Sequence, residues 1–229
     1  DVDHTAGLIN LRESQAFNLY ATERVINVLN SNSIFNVLNP KFVNKVPIKL
    51  DSYLELLNAD KTVSSIKVKA FAVPGKVALW LEDANKGPNF GSVDEDTIAL
   101  EICNEETGAS FFYIPACAYV PDWLKEKLNN TNLLFFDGTL WTDDEMIKQK
   151  VGIKTGKRMG HISMSGEEGS LNIFKNVKIN RKIFIHINTT NPALLNNSSE
   201  RKILEDAGWE VAYDCLLYTS DAADEFMGV

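Results

Sequence analysis

TNLLFFDG, residues 131–138, is an apolar run that ends abruptly on a carboxylate, and RKIFIHIN, residues 181–188, repeats that design with a histidine near its end. Neither run alternates between a wet and a dry face. Each therefore reads as a strand buried on both sides, the pattern of a parallel sheet covered by helices. Working outward, PDWLKEKLNN (121–130) admits Pro121 at a helix start, and ERKILEDA (200–207) can be capped by Ser198 or Ser199 and stopped by Gly208 before WEVAYD returns as a strand. Upstream, SSIKVKAFAV (64–73) alternates as a strand, while TIALEIC and ASFFYIP are β-rich runs joined by NEETG, where Gly108 suits a hairpin. A short helix is expected around Leu8 and Leu11, and ATERVINVLN (21–30) predicts another with Val25, Val28 and Leu29 on one face. Doubly buried strands interleaved with helices predict an α/β layered fold.

The composition agrees with one large globular domain: 229 residues, 45% hydrophobic and 24% charged. A formal charge of −8 opposes the phosphate backbone, so no nucleic-acid partner is expected. No apolar run approaches the roughly 18 residues needed to cross a bilayer, and no membrane span is expected. Cys103, Cys117 and Cys215 are widely spaced, with no CxxC pair, which indicates neither a disulfide framework nor a four-cysteine zinc site and points to a reducing cytoplasm. Asp1 opens a pattern that usually follows a buried strand, so the sequence is expected to lack an N-terminal part. CLLYTSDAADEFMGV (215–229) changes character after the last helix–strand unit and resembles translated adapter read-through, which predicts a domain over 1–214 and a non-native tail over 215–229.

Sites in layered α/β proteins form beyond strand ends, and Asp3-His4, Asp137 and His186 all lie at or beside such ends. On a regular strand Asp3 and His4 would face opposite ways, but a turn at Thr5-Ala6-Gly7 lets both address one ion; alternatively Asp3 caps a helix and His4 is merely exposed. His186, between Ile185 and Ile187, is either a hydrogen-bonded core residue or a ligand. His161, in GKRMGHISMSG, occupies a Gly-flanked loop, exposed or in contact with substrate. Asp137 beside so many apolar residues is costly unless paired, or else it forms a turn with Gly138 and Thr139. All 3 histidines of the chain fall in such motifs, accompanied by two carboxylates, and that coincidence favours metal binding. Asp3, His4 and His186 would supply two imidazoles and one carboxylate, a set that leaves open positions and suits non-haem Fe(II), though zinc accepts it too.

DVDHTAGL (1–8) resembles the second half of the HxHxDH metal motif of the metallo-β-lactamase superfamily. Together, DVDHTAGLINLRES, FFDGTLWTDDEM, KTGKRMGHISMSG and FIHINTTNPALLNNSSERKILEDAGWEVAYD resemble the coenzyme PQQ synthesis B family within it. DGTLW, MGHISMSG and HINTTNP are specific as a set, and the resemblance covers nearly the whole chain to Asp214. It implies an αββα sandwich, two sheets flanked by helices, incomplete at the N-terminus and with the active site at one edge. A missing N-terminal segment would carry the first strands and a cysteine-rich structural zinc site. The resemblance also implies a role in making pyrroloquinoline quinone (PQQ), with a small peptide-derived precursor as substrate and other proteins of that pathway as partners.

The departures from the superfamily's hydrolytic members are as informative. Asp1 stands where they have the second His of HxHxDH, FFYIPACAYV offers Ala116 and Cys117 where they have a metal-bridging Asp, and GSVDEDTIAL contains no His in the approximate place of another ligand. What survives, Asp3, His4 and His186, is enough for one divalent metal, with Fe(II) favoured over zinc. Asp137 and His161 match the acid/base carboxylate and nearby His of the superfamily's tRNA-processing nucleases and are expected to be catalytic, moving protons or orienting substrate. Cys117 is either a pocket residue or an inert buried thiol. Three functions follow: iron-dependent hydroxylation of the tyrosine ring of a Glu-Tyr-derived precursor; a soluble carrier of PQQ or its precursor towards the periplasm; and a dinuclear zinc hydrolase, against which the absent ligands and the acidic charge weigh.

Overall fold

The structure, a computed structural model, describes residues 2–58 and 60–213, with the side chains of Val2 and Asp3 outside the description. The tail anticipated at 215–229 lies outside the described residues. The chain enters through a single helical turn, α1 (Val2–Thr5), and a 3-10 turn over Ala6–Leu11. Strands β1 (Phe17–Thr22) and β2 (Val43–Ile48) then form a two-stranded parallel sheet, joined through helix α2 (Glu23–Ser31). Thr22 caps α2, its hydroxyl accepting a bond from the Val25 N–H. The helix buries Ile26 and Leu29, whereas Val25 and Val28 are only half-buried, so the buried face is rotated from the Val25–Val28–Leu29 face expected. Leu29, Phe35, Leu38 and Val43 make a small core of their own.

The remaining strands form one seven-stranded sheet in sequential order: β3 (Tyr53–Leu57), β4 (Val63–Ala72), β5 (Ile98–Asn104), β6 (Ser110–Ile114), β7 (Thr131–Asp137), β8 (Ile179–Ile185) and β9 (Trp209–Val211). Connection length sets direction. β5 and β6 are joined by the NEETG turn and pair antiparallel, whereas the β6–β7 connection carries α3 (Asp122–Leu128), the β7–β8 connection the single turns α4 (Glu145–Lys148), α5 (Gly156–Met159) and α6 (Ser170–Ile173), and the β8–β9 connection α7 (Ser199–Asp206), and these three pairs are parallel. Of the two candidate caps for α7, Ser198 takes the role, accepting from the Arg201 N–H at 2.9 Å.

The doubly buried strands behave as their composition predicts. Leu134 and Phe136 of β7 and Ile183 and Phe184 of β8 are each 0% exposed. Leu134, Phe136 and Phe184 share one core with residues of the covering helices and the sheet edge: Leu124 and Leu128 of α3, Leu204 of α7, and Trp209, whose ring stacks on Phe184 at 4.0 Å. Each such side chain contributes roughly 1.5–3 kcal/mol by leaving water. No helix among the described residues is long and apolar enough to cross a membrane. Because β6, β7 and β8 run parallel, their C-terminal ends open on one edge, and that edge receives Cys117, Asp137 and His186.

Candidate metal centre

Local backbone chemistry brings the site together. Asp137 is the last residue of β7, and the chain turns immediately through Gly138, whose N–H donates to the Ile185 carbonyl at 2.9 Å. A Cβ at Gly138 would lie 2.9 Å from Phe184 Cβ and 2.8 Å from the Met164 methyl, so the close approach of β7 to β8 requires glycine there. His186 follows β8 with φ of 54°, a left-handed conformation uncommon for a residue with a side chain and often found at functional sites. His161 is delivered by α5 (Gly156–Met159), which Gly160 ends in the left-handed region at φ 87°. The HINTTNP segment fastens these ends together: the Asn188 N–H donates to the Thr139 carbonyl at 3.1 Å, and the buried Asn191 amide donates to the Gly138 carbonyl at 2.9 Å.

Asp137 is 0% exposed, and its charge is met by four donors. Oδ1 accepts from the Thr139 N–H at 3.0 Å and the Thr139 hydroxyl at 2.7 Å; Oδ2 accepts from the Cys117 N–H at 2.9 Å and from His161 Nδ1 at 2.8 Å. Four acceptor positions are what a carboxylate has, so Asp137 is spent within the protein. The turn and site readings of this residue therefore both describe it. Expected with His161 as a catalytic pair, Asp137 lies beside it, its Oδ2 2.8 Å from His161 Nδ1, where the carboxylate can accept the ring proton and orient the imidazole. His161 lines a cavity that Asp137 does not reach.

The three rings share this edge. His161 and His186 stack with centroids 5.1 Å apart and planes 19° apart, and His4 meets His186 edge-on, its Nε2 3.0 Å from His186 Nε2. That separation suits a hydrogen bond between the rings; two imidazole nitrogens about 2.1 Å from one ion would lie about 3.0 Å apart across an octahedral angle and about 3.4 Å apart across a tetrahedral one, so a small adjustment at most brings both onto a metal. Asp137, His161 and His186 also present ligand-type atoms within 4.8 Å of one another, a set that differs from the expected Asp3, His4 and His186. In that set the four acceptor positions of Asp137 are already taken by protein donors. The side chain of Asp3, the third expected ligand, lies outside the described residues.

Cys117 contributes its backbone and not its sulfur. The thiol is 0% exposed and directed at the Tyr119 carbonyl at 3.1 Å, and burial, reinforced by the Asp137 charge, pushes its pKa up, which keeps it protonated and inert. Beside the rings lies a cavity of about 1080 Å³ with apolar walls from Leu79, Trp80, Ile153 and Met159. Lys76 and Lys154 line it, and no Asp or Glu does among the described residues, although the chain carries a net charge of −8. Lys76 is engaged by Glu82 at 3.3 Å, and Arg158 holds the same carboxylate in a two-point pair at 3.0 and 2.7 Å. The Arg158 hydrogen bonds, with help from Lys76, lower the Glu82 pKa to about 2.

Thr139 and the two cavity lysines are the candidate site residues that sequence reasoning passed over. Thr139 has a local signal, its place beside Asp137 in DGT, but that signal is fully explained by the turn it makes. Lys154 in VGIKTG carries none beyond its charge.

Comparison with known proteins gives this geometry a family. The profile of the Beta-lactamase superfamily domain matches residues 1–187. Coenzyme PQQ synthesis protein B of Bradyrhizobium diazoefficiens is 49% identical over 215 residues, covering 93% of this chain and 69% of that protein. Its counterpart in Rhodopseudomonas palustris is 46% identical over 214 residues with the same coverage, 93% and 69%. Among solved structures, the zinc-bound PqqB of Methylobacterium extorquens superposes with a TM-score of 0.85 at 43% identity, over 93% of this chain and 68% of that one. The αββα sandwich is thus the fold, and the chain belongs to the coenzyme PQQ synthesis protein B family of the β-lactamase superfamily.

Proposed function

We propose that the chain serves PQQ biosynthesis as a mononuclear metal-dependent enzyme that hydroxylates the tyrosine ring of a Glu-Tyr-derived precursor. The observation that carries this reading is the pair of Nε2 atoms of His4 and His186 at 3.0 Å beside a cavity with apolar walls and two lysines. Family membership supports the pathway, and the zinc-bound relative supports a metal. Fe(II) is the proposed native ion because His4, His186 and Asp3 would form a two-His-one-carboxylate set with open positions. Such an ion would supply the O₂ chemistry, by which one oxygen atom is inserted into a ring C–H bond and the other leaves as water, with two electrons and two protons from an external reductant.

The chain's own residues do the rest. Trp80, Leu79 and Ile153, exposed in this structure, offer apolar surface to flank the aromatic ring, and Lys76 and Lys154 meet the precursor's carboxylates. His161, held by Asp137, accepts the phenol proton at Nε2. The test is anaerobic loading with Fe(II), followed by O₂, a mild reductant and the precursor. A product heavier by one oxygen atom is expected; its absence with stoichiometrically metallated protein would sink the proposal.

The same cavity also favours a second reading, a carrier for PQQ or a late precursor on its way to the periplasm, since paired lysines and apolar walls suit an aromatic polycarboxylate whether or not it reacts. Tight PQQ binding that survives His4→Ala, with no turnover of any precursor, would select the carrier.

A further inference from the structure

Thr139 is 7% exposed, and its single hydroxyl lies within hydrogen-bond distance of both stacked histidines and the buried carboxylate. Oγ1 is 2.7 Å from Asp137 Oδ1, 2.8 Å from His186 Nδ1, 3.0 Å from His161 Nδ1 and 3.1 Å from the His186 carbonyl. A hydroxyl has one proton and two lone pairs. The ionised carboxylate is both the strongest acceptor in reach and the nearest, so the proton goes to Asp137. Only lone pairs then remain on Oγ1, and an imidazole nitrogen 2.8 Å away must approach them with its own proton.

We infer that Thr139 is the positioning residue of the metal centre: its hydroxyl fixes His186 as the Nδ1–H tautomer, so that Nε2 turns a lone pair towards His4. Asp137 does the same for His161 directly, and the proton chain His186 Nδ1–H to Thr139 Oγ1–H to Asp137 Oδ1 ties both rings to one carboxylate. The hydroxyl is held still by the main chain on either side, through the Asn188 N–H on the Thr139 carbonyl and the Thr139 N–H on Asp137. Outer partners of this kind set the ring orientation and basicity of metal-binding histidines. The inference rests on the reading that His4 and His186 hold the ion, but not on the reaction proposed for it.

Zinc affinity, read by competition with a chromogenic chelator, tests it without reference to turnover. Thr139→Val keeps the shape and removes the hydroxyl; affinity is expected to fall about 10- to 100-fold, while Thr139→Ser stays within about threefold of the parent. Two-bond proton–nitrogen spectra of the unmodified zinc-loaded protein, which need no variant to fold, should show His186 protonated at Nδ1 and coordinating through Nε2. Coordination through Nδ1, parental affinity in Thr139→Val, or an equal loss in Thr139→Ser would each overturn the inference. If the parent protein binds zinc and Thr139→Val binds it equally, the inference falls alone; if the parent binds none, the metal reading falls and takes it along.

Discussion

Replacing Asp137 with Asn tests the supporting network at its centre. The side chain keeps its shape but exchanges one acceptor oxygen for an NH₂ group, and all four of its neighbours are donors. Turned one way, the amide faces the Cys117 N–H and His161 Nδ1–H; turned the other, it faces the Thr139 N–H and hydroxyl. The hydroxyl can rotate and the imidazole can change tautomer, but a backbone N–H cannot, so either orientation leaves a fully buried N–H without an acceptor. That orphan costs about 1–3 kcal/mol, and the surviving bonds lose the assistance of charge, falling from the roughly 1.5–3 kcal/mol of a bond to an ionised group towards the roughly 0.5–1.5 kcal/mol of a neutral one. Relief from burying a charge offsets part of this. The net expectation is a loss of about 2–4 kcal/mol, a fall in Tm of roughly 4–16 °C for a chain of this size. Melting of chelator-treated protein followed by circular dichroism reads it with the metal's own contribution removed. A Tm within about 2 °C of the parent would refute the assignment of Asp137 as an ionised, four-bonded carboxylate.

Three further outcomes are expected. Glu82 sits near 2 where a free glutamate titrates near 4.5, so the stability it contributes is fully present above the higher value and is lost as pH falls towards the lower one. Glu82→Gln should therefore cost about 1–3 kcal/mol in urea melts at neutral pH, with the gap to the parent narrowing below about pH 4.5; a gap independent of pH would contradict the ion-pair account. Lys154→Met should raise KM for the precursor roughly tenfold and leave kcat within about twofold, and a selective fall in kcat would remove Lys154 from carboxylate binding. Gly138→Ala sets a methyl group against Phe184 Cβ at 2.9 Å and should destabilise by about 1–3 kcal/mol; parental stability would mean that the β7–β8 approach is looser than described.

The fold was legible where burial left a mark on composition. LLFF and IFI read as strands covered on both faces, and the Gly108 turn and a cap at Ser198 or Ser199 announced themselves through residues with one dominant use, though only the fold chose Ser198. β1 and β2 carried no such mark, since FNLYAT and VNKVPI mix Asn, Lys and Pro with apolar residues; Pro47 sits in a two-stranded sheet, where both strands are edges and proline is tolerated. The α2 face was displaced because Val25, Ile26, Val28 and Leu29 offer two overlapping apolar stripes: Leu29, with Val25 beside it, packs on Phe35 and Val43, while Ile26 is buried outside that cluster.

Legibility in the site followed the same physics. His4, Asp137, His161 and His186 could be singled out because a titratable side chain at the end of an apolar run is costly without a partner. Who partners whom could not, because Thr139 meets His186 across 47 residues of chain and His4 meets it across 182. Threonine and lysine are also commonplace in loops, and nothing in DGT or VGIKTG separates a hub or an anchor from a turn.

The claim on which the rest depends is that this edge of the sandwich holds one ion between His4 and His186. Metal analysis after saturation and desalting, on the parent and on His4→Ala and His186→Ala variants shown by circular dichroism to be folded, tests it most directly. The account predicts one tightly held ion per chain in the parent and none in either variant. Two ions per chain, or a stoichiometry that survives the loss of either histidine, would contradict it.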